Sequence, residues 1–163
     1  EKVIVVDLSE SRLAVAEKLG MITFKPDTGK LKHFLREQHG IVTNDARLGK
    51  QPGTDVFIEA TGVGSVFQEI CGIARKGARI VVVALHFAPA QLDMISLLMK
   101  ELQITGAIEY PVELPAVIEM LSSGKVDVRP MISHSFPLSR FNEAFAQAQK
   151  QNEALKVLVD CQS

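Results

Sequence analysis

The chain has 163 residues, of which 47% are hydrophobic and 23% are charged, and its formal net charge is −1. These values are ordinary for one soluble globular domain, and such a charge gives no electrostatic footprint for nucleic acid. No apolar run reaches the roughly eighteen residues of a membrane-spanning helix, so we expect no membrane association. The two cysteines, Cys71 and Cys161, are too few for a disulfide framework, which favours a reducing, cytoplasmic compartment. The sequence begins at Glu1 with an immediate strand pattern and no leader, which suggests a fragment of a longer protein.

Apolar strand patterns alternate with helical patterns along the chain. The first strand pattern runs from Lys2 to Val6, and a helix is predicted from the N-cap candidate Ser9 to Gly20. The later predicted strands cover 21–24, 55–60, 78–85, 102–107, 131–136 and 155–159, and the later predicted helices cover 30–38, 65–75, 93–100, 114–121 and 138–149. Segment 44–53 is polar and ends in a Pro-Gly breaker. This alternation predicts an α/β fold with a doubly wound, mostly parallel sheet.

A glycine turn follows the strand pattern at 55–60. Dinucleotide-binding folds need such a turn after their first strand, where backbone amides and a helix N-terminus meet the pyrophosphate. In the turn at 62–64, however, Phe67 stands where a third small residue is required, and the next strand ends without an acid at 84–86. We therefore interpret this segment as an ordinary strand-to-helix turn with Ser65 near the helix cap.

Asp7 ends an apolar strand pattern and directly precedes a predicted helix start. A carboxylate in this position can accept hydrogen bonds from both adenosine ribose hydroxyls and would repel a 2′-phosphate, which favours NAD over NADP. Arg12 lies within reach of the same ribose or of a phosphate. The alternative is that Asp7 merely opens a helix, where negative charge suits the helix dipole. If Asp7 is the ribose acid, its strand is the second of the fold, and the first strand with its glycine turn lies before Glu1.

Several segments follow one another in a characteristic order: 3–13, 55–62 (Asp-Val-Phe-Ile-Glu-Ala-Thr-Gly), 76–83, 104–107, 131–138, 141–145 and 155–159. In this order the whole chain resembles the C-terminal part of the zinc-type medium-chain alcohol and polyol dehydrogenases, with sorbitol and butanediol dehydrogenases the most similar. The resemblance implies a Rossmann-type sheet that lacks its first strand. It also implies a parent enzyme that transfers hydride between a small alcohol or polyol and NAD.

The same resemblance implies roles for individual residues. Asp7 and Arg12 would hold the adenosine ribose, and Lys156 would reach the pyrophosphate. The other positions are Thr61 and Val63 at the adenine and cofactor cleft, Val83 and Leu85 at the nicotinamide, and Ala107 and Glu109, through their backbone, on its other side. For each of these positions the alternative is an ordinary core residue or a solvated charge.

The chain also departs from the family pattern. Ala84 stands where the family usually has glycine, which bears on the approach of the nicotinamide. The family's zinc ligands precede the first strand of its fold, so we expect no catalytic residue and no metal ligand in this chain. The two cysteines do not match those ligands, and the histidines at 33, 39, 86 and 134 lack ligand spacing.

Residues 1–128 are interpreted as an incomplete dinucleotide-binding domain, and 129–163 as a segment that in the family returns to the catalytic domain. We expect the fragment to be inactive and to form a homodimer or a domain-exchanged oligomer, because the missing strand leaves open edges. Two alternatives are a non-enzymatic α/β binding or oligomerisation module and a methyltransferase-like nucleotide-binding domain. In the latter, an acid ending the second strand also holds a ribose.

Overall fold

A computed structural model describes residues 2–26, 30–108, 112–150 and 152–162 of the chain. The strands are β1 (Ile4–Val6), β2 (Ile22–Phe24), β3 (Ile41–Val42), β4 (Gln51–Pro52), β5 (Val56–Glu59), β6 (Arg79–Val82), β7 (Gln103–Gly106), β8 (Ile132–Pro137) and β9 (Lys156–Asp160). The α-helices are α1 (Glu10–Lys18), α2 (Leu31–His39), α3 (Gly64–Ile73), α4 (Met94–Lys100), α5 (Leu114–Ser122) and α6 (Phe141–Ala148). The chain forms two compact units: the first comprises 1–27 and 110–163, and the second comprises 28–109. None of the helices in the described part of the chain is long and apolar enough to cross a membrane.

The first unit contains two pairs of parallel strands. β1 pairs with β2, and β8 pairs with β9. The predicted N-cap Ser9 does precede α1, which buries Leu13 and Ala16 on one face. The predicted helix at 138–149 begins with a 3-10 turn over Leu138–Arg140 and continues as α6, in which Ala144 is buried.

The second unit is built on a parallel sheet in the order β5-β6-β7. Its apolar core lies where α3 and α4 pack on this sheet, and its buried members are Phe67, Ile70, Cys71, Ala74, Ala78, Ile80 and Leu102. Ile80, in the middle of the sheet, has no exposed surface. Full burial of such a side chain contributes roughly 1.5–3 kcal/mol to stability. The prediction of an α/β fold with mostly parallel strands is therefore confirmed.

One buried cation joins the two helices of this core. The Lys100 amine, in the last turn of α4, donates hydrogen bonds to the carbonyls of Cys71 and Gly72 at 2.7 Å each. Carbonyls in the last turn of a helix lack partners within that helix, so the amine replaces missing bonds of α3. Burial, together with the charge of Lys32, lowers the pKa of the Lys100 amine. Lys100 is thus a structural cap between α3 and α4.

The polar segment at 44–53 is more ordered than its sequence indicates. It contains β4, which forms an antiparallel hairpin with β3, and a 3-10 turn over Ala46–Leu48 between them. Strands of two residues are too short to show an alternating pattern, so no periodicity in the sequence identifies them. The side chain of Gln51 is nevertheless buried and donates to the Leu48 carbonyl at 2.6 Å.

Within the described ranges every strand except β6 pairs with a single neighbour, so β5 and β1 are among the strands with an unpaired edge. β5 pairs with β6 alone, and β1 pairs with β2 alone. Ile58 on β5 is 67% exposed, which is unusual for an apolar residue of a parallel strand. These open edges are what we expect of a Rossmann-type sheet without its first strand.

The turn after β5 is closed by contact with the loop after β6. Gly62 has a φ of +71°, and a Cβ placed on it would lie 2.5 Å from the Leu85 carbonyl oxygen. α3 begins directly afterwards at Gly64 with Val63 as its N-cap, so Ser65 lies inside the first helical turn. Only glycine combines this backbone conformation with such a close approach.

This contact predicts a larger cost for Gly62→Ala than for a matched variant. Gly49 has a φ of +63°, and a Cβ placed on it would have no neighbour within 4 Å, so Gly49→Ala should cost only the left-handed conformation, about 1–2 kcal/mol. Gly62→Ala adds overpacking against Leu85, a further ~1–3 kcal/mol. Urea unfolding measures both free energies, and equal losses in the two variants would show that the Leu85 contact is unimportant.

Candidate functional site

The end of β1 presents a fixed but accessible carboxylate. Asp7 Oδ1 accepts a hydrogen bond from the Ser9 amide at 2.8 Å, and Oδ2 lies 3.5 Å from a guanidinium nitrogen of Arg12. The Asp7 side chain is 28% exposed, and that of Arg12 is 43% exposed. The bond to Ser9 fits the simple role of opening α1, and the accessible surface leaves the carboxylate available to a ligand. The two roles are compatible in one side chain.

Lys156, the third candidate in the first unit, is the first residue of β9. It is exposed, and it stands opposite Ile132 in the register with β8. Its carbonyl accepts a hydrogen bond from the Ser133 hydroxyl at 3.1 Å. Its backbone is therefore held in the sheet, while its role toward a pyrophosphate stays a prediction.

The candidate residues of the second unit lie at the carboxyl ends of its parallel strands. The register pairs Glu59 with Val82 and Val82 with Gly106, so the parallel strands end side by side. The predicted positions follow these ends directly: Thr61 and Val63 after β5, Val83 and Leu85 after β6, and Ala107 after β7. All five are exposed and none belongs to the buried core. Glu109, the last predicted position, lies outside the described residues.

The buried carboxylate of Glu59 organises the loops at these strand ends. The sequence patterns did not predict a role for it. The Glu59 side chain has no exposed surface. Its Oε1 accepts hydrogen bonds from the amides of Thr61 at 2.7 Å and Gly62 at 3.1 Å, and from the Thr61 hydroxyl. Its Oε2 lies 2.7 Å from Nε2 of His86. A single side chain thus binds both the turn after β5 and the loop after β6.

The environment of Glu59 favours its ionised form. Burial alone would raise the pKa of the carboxyl, but the hydrogen bonds from Thr61, His86 and the backbone amides outweigh burial and lower it. A lowered pKa means that the folded state stabilises the carboxylate. This stabilisation is present above the ordinary pKa of glutamic acid and is lost as the pH falls through the folded value. Near neutral pH Glu59 is therefore charged, and His86 Nε2 is the hydrogen-bond donor.

His86 also borders an open apolar depression of about 510 Å³. The edge of its ring faces Phe67, with ring centroids 6.4 Å apart and planes at 77°. From the sequence, His86 was considered only as a possible metal ligand. The sequence feature that could have indicated the role of His86 is Glu59, because a charged residue at the end of a buried strand requires a partner.

The described residues contain no group of three or more His, Cys, Asp or Glu side chains that could hold a metal ion. For NAD, the accessible carboxylate of Asp7 is of the chemical type that accepts hydrogen bonds from ribose hydroxyls. The turn at 62–64 does not fit a pyrophosphate, because the Leu85 carbonyl occupies the space beside Gly62. This agrees with its interpretation as a later turn of the fold.

Comparison with known proteins identifies the family. The profile of the family described as zinc-binding dehydrogenase matches residues 2–123. Sorbitol dehydrogenase of Rattus norvegicus is 33% identical over 161 residues, which cover 98% of this chain and 43% of that protein. The 2-dehydro-3-deoxy-L-galactonate 5-dehydrogenase of Pseudoalteromonas atlantica is 30% identical over 161 residues, which cover 98% of this chain and 44% of that protein.

A solved structure shows the same fold. The crystal structure of 2R,3R-butanediol dehydrogenase from Bacillus subtilis superposes with a TM-score of 0.80 at 24% identity, covering 97% of this chain and 43% of that one. The chain spans less than half the length of the curated relatives it matches. Because the family profile covers most of its residues, the chain belongs to the zinc-binding dehydrogenase family.

Proposed function

We propose that the chain is the NAD-binding part of a zinc-dependent alcohol or polyol dehydrogenase and is inactive by itself. The observation that carries the proposal is Asp7, an accessible carboxylate that directly follows a parallel strand and is fixed by the amide of Ser9. An acid in this position binds the ribose hydroxyls of NAD. The names of the relatives support a polyol or a sugar acid as substrate.

When bound, NAD would supply the hydride acceptor for the alcohol carbon, and zinc held outside these residues would lower the pKa of the alcohol. The residues of this chain position the cofactor. Asp7 accepts hydrogen bonds from the adenosine ribose, with Arg12 beside it. Val83, Leu85 and Ala107 offer the backbone against which the nicotinamide lies. Thr61 and Val63 border the adenine and cofactor cleft. Lys156 contacts the pyrophosphate, and Glu109 contacts the other side of the nicotinamide through its backbone.

We further propose that residues 129–163 pack on a catalytic domain in the complete enzyme, and that the enzyme acts in the cytoplasm. Cys71 and Cys161 are both free thiols, which fits a reducing compartment. The exposed apolar side chains of α6, Phe141 at 53% and Phe145 at 59% exposure, offer a surface for this packing.

The first prediction concerns activity. The protein expressed from its complete reading frame and loaded with zinc should reduce NAD with a polyol such as sorbitol or 2,3-butanediol, and a zinc chelator should abolish turnover. The 163-residue chain should show no turnover, because the proposed zinc ligands lie outside these residues. NADH absorbance measures both. Turnover by the chain alone, or tight binding of an S-adenosyl ligand in place of NAD, would contradict the proposal.

The second prediction concerns cofactor choice. Asp7→Gly combined with Leu8→Arg should raise the KM for NAD about tenfold or more and improve use of NADP, because a charged hydrogen bond to the ribose contributes roughly 1.5–3 kcal/mol. Steady-state kinetics of the complete protein with both cofactors provide the measurement. Glu10→Gln, which changes an exposed carboxylate at the start of α1, three residues after Asp7, is the matched control and should leave both constants unchanged. Unaltered NAD kinetics in the Asp7 variant would show that Asp7 does not bind NAD.

The third prediction concerns self-association, which we propose to occur through open strand edges. The 163-residue chain should scatter light as a dimer or larger, because the unpaired edge of β5 can pair with another chain. Ile58→Lys on that edge should shift the population toward monomer. Ile95→Lys changes a side chain of similar exposure on α4 (73% against 67%) and should not. A monodisperse monomer of the unaltered chain would contradict this proposal.

A further inference from the structure

We propose that His86 is a positioning residue for the cofactor: its bond to Glu59 holds the loop after β6 in the shape that receives the nicotinamide. The inference rests on the proposed function and extends it to a pair of residues outside the predicted site. The pair joins two chain segments 27 residues apart.

Both ends of the proposed nicotinamide segment are tied to the same residue. At its start, the amide of Val83 donates to the main-chain carbonyl of Glu59 at 2.9 Å. At its end, Nε2 of His86 lies 2.7 Å from the Glu59 side-chain carboxylate. Ala84 and Leu85 lie between these two bonds, which therefore restrict the conformation of their backbone.

The position of the Glu59 carboxylate is in turn fixed by the turn after β5. Its Oε1 accepts from the amides of Thr61 and Gly62, so it cannot follow a moving loop without releasing those amides. Gly62 also contacts the Leu85 carbonyl, which places the turn directly against the segment. The Glu59–His86 bond therefore transmits the rigid geometry of β5 to the loop.

Removal of the imidazole would leave the carboxylate poorly satisfied. Oε2 would keep only a long contact of 3.4 Å with the Gly62 amide. A buried charge that loses its partner is strongly unfavourable, so the loop or water must rearrange to supply a new donor. Either change alters the backbone at Ala84 and Leu85.

The second ring nitrogen of His86 has no partner of its own. Nδ1 is buried and has no hydrogen-bond partner among the described residues. Burying an unsatisfied polar atom beside Phe67 opposes folding. The Nε2 bond to Glu59 is the interaction that offsets it.

The test compares two amide side chains at this position in the complete protein. The amide nitrogen of His86→Gln can reach the place of Nε2 and donate to Glu59, whereas the shorter side chain of His86→Asn cannot. We expect NADH affinity and the KM for NAD to stay within about twofold of the unaltered protein in the glutamine variant. In the asparagine variant both should weaken about tenfold, which corresponds to about 1.4 kcal/mol.

A matched control removes a histidine–carboxylate pair at the surface. His33 and Glu37 form such a pair at 3.3 Å with both side chains mostly exposed, so His33→Asn should leave NADH affinity unchanged. Rescue by glutamine is the result that a merely structural role would not produce, because both amide variants lose the ring. If both variants of His86 bind NADH equally well, or equally weakly, the positioning role is wrong.

Hydrogen exchange without cofactor supplies a readout independent of binding. The amides of Ala84 and Leu85 should exchange faster in His86→Asn than in His86→Gln or the unaltered protein. Equal exchange in all three would overturn the inference while leaving the proposed function intact. If the unaltered protein bound no NADH, the proposed function itself would fail, and the cofactor role of His86 with it.

Discussion

Parallel pairing of β5, β6 and β7 determines which residues of the second unit lie together at the ends of its strands. Because the register places Glu59, Val82 and Gly106 side by side, the three following segments leave the sheet at one edge. The residues beyond the last paired positions, among them Thr61, Leu85 and Ala107, are exposed. The same pairing brings two loops close enough for one side chain to bind both. Without this register, neither the exposed edge nor the Glu59 network would exist.

In the Glu59 network a buried charge fixes the conformation of the two loops that it binds. A carboxylate without exposed surface is unfavourable unless hydrogen bonds replace its water, and here three come from the turn that follows it in sequence. The bond to His86 is the one long-range member. Since the local bonds fix the carboxylate, the distant bond fixes the loop. The conformation of the loop after β6 thus depends on a bond between the strand end and one residue of the loop, His86.

The sequence was sufficient for features that depend on short-range patterns. The apolar run before Asp7, the cap at Ser9 and the continuous strand around Ile80 all predicted the elements that the structure contains. Long-range contacts were not predictable, because the pairing of Glu59 with His86 depends on a strand register and a loop conformation. The hairpin of β3 and β4 was missed for a different reason: its strands are too short for any periodicity. The pattern of an acid at a strand end assigned Asp7, with Arg12 beside it, to a ribose, whereas the other cofactor positions came from the resemblance.

The buried cap formed by Lys100 has a consequence for chemical reactivity. Its amine is enclosed between α3 and α4 and bonded to two carbonyls, so an acylating reagent cannot reach it while the helices stay packed. Acylation of Lys100 therefore requires that the helices first separate. The acylated side chain carries no positive charge and could no longer bind both carbonyls as a cation. The rate at which Lys100 is labelled, compared with the rate for exposed lysines, would report how often the core opens transiently.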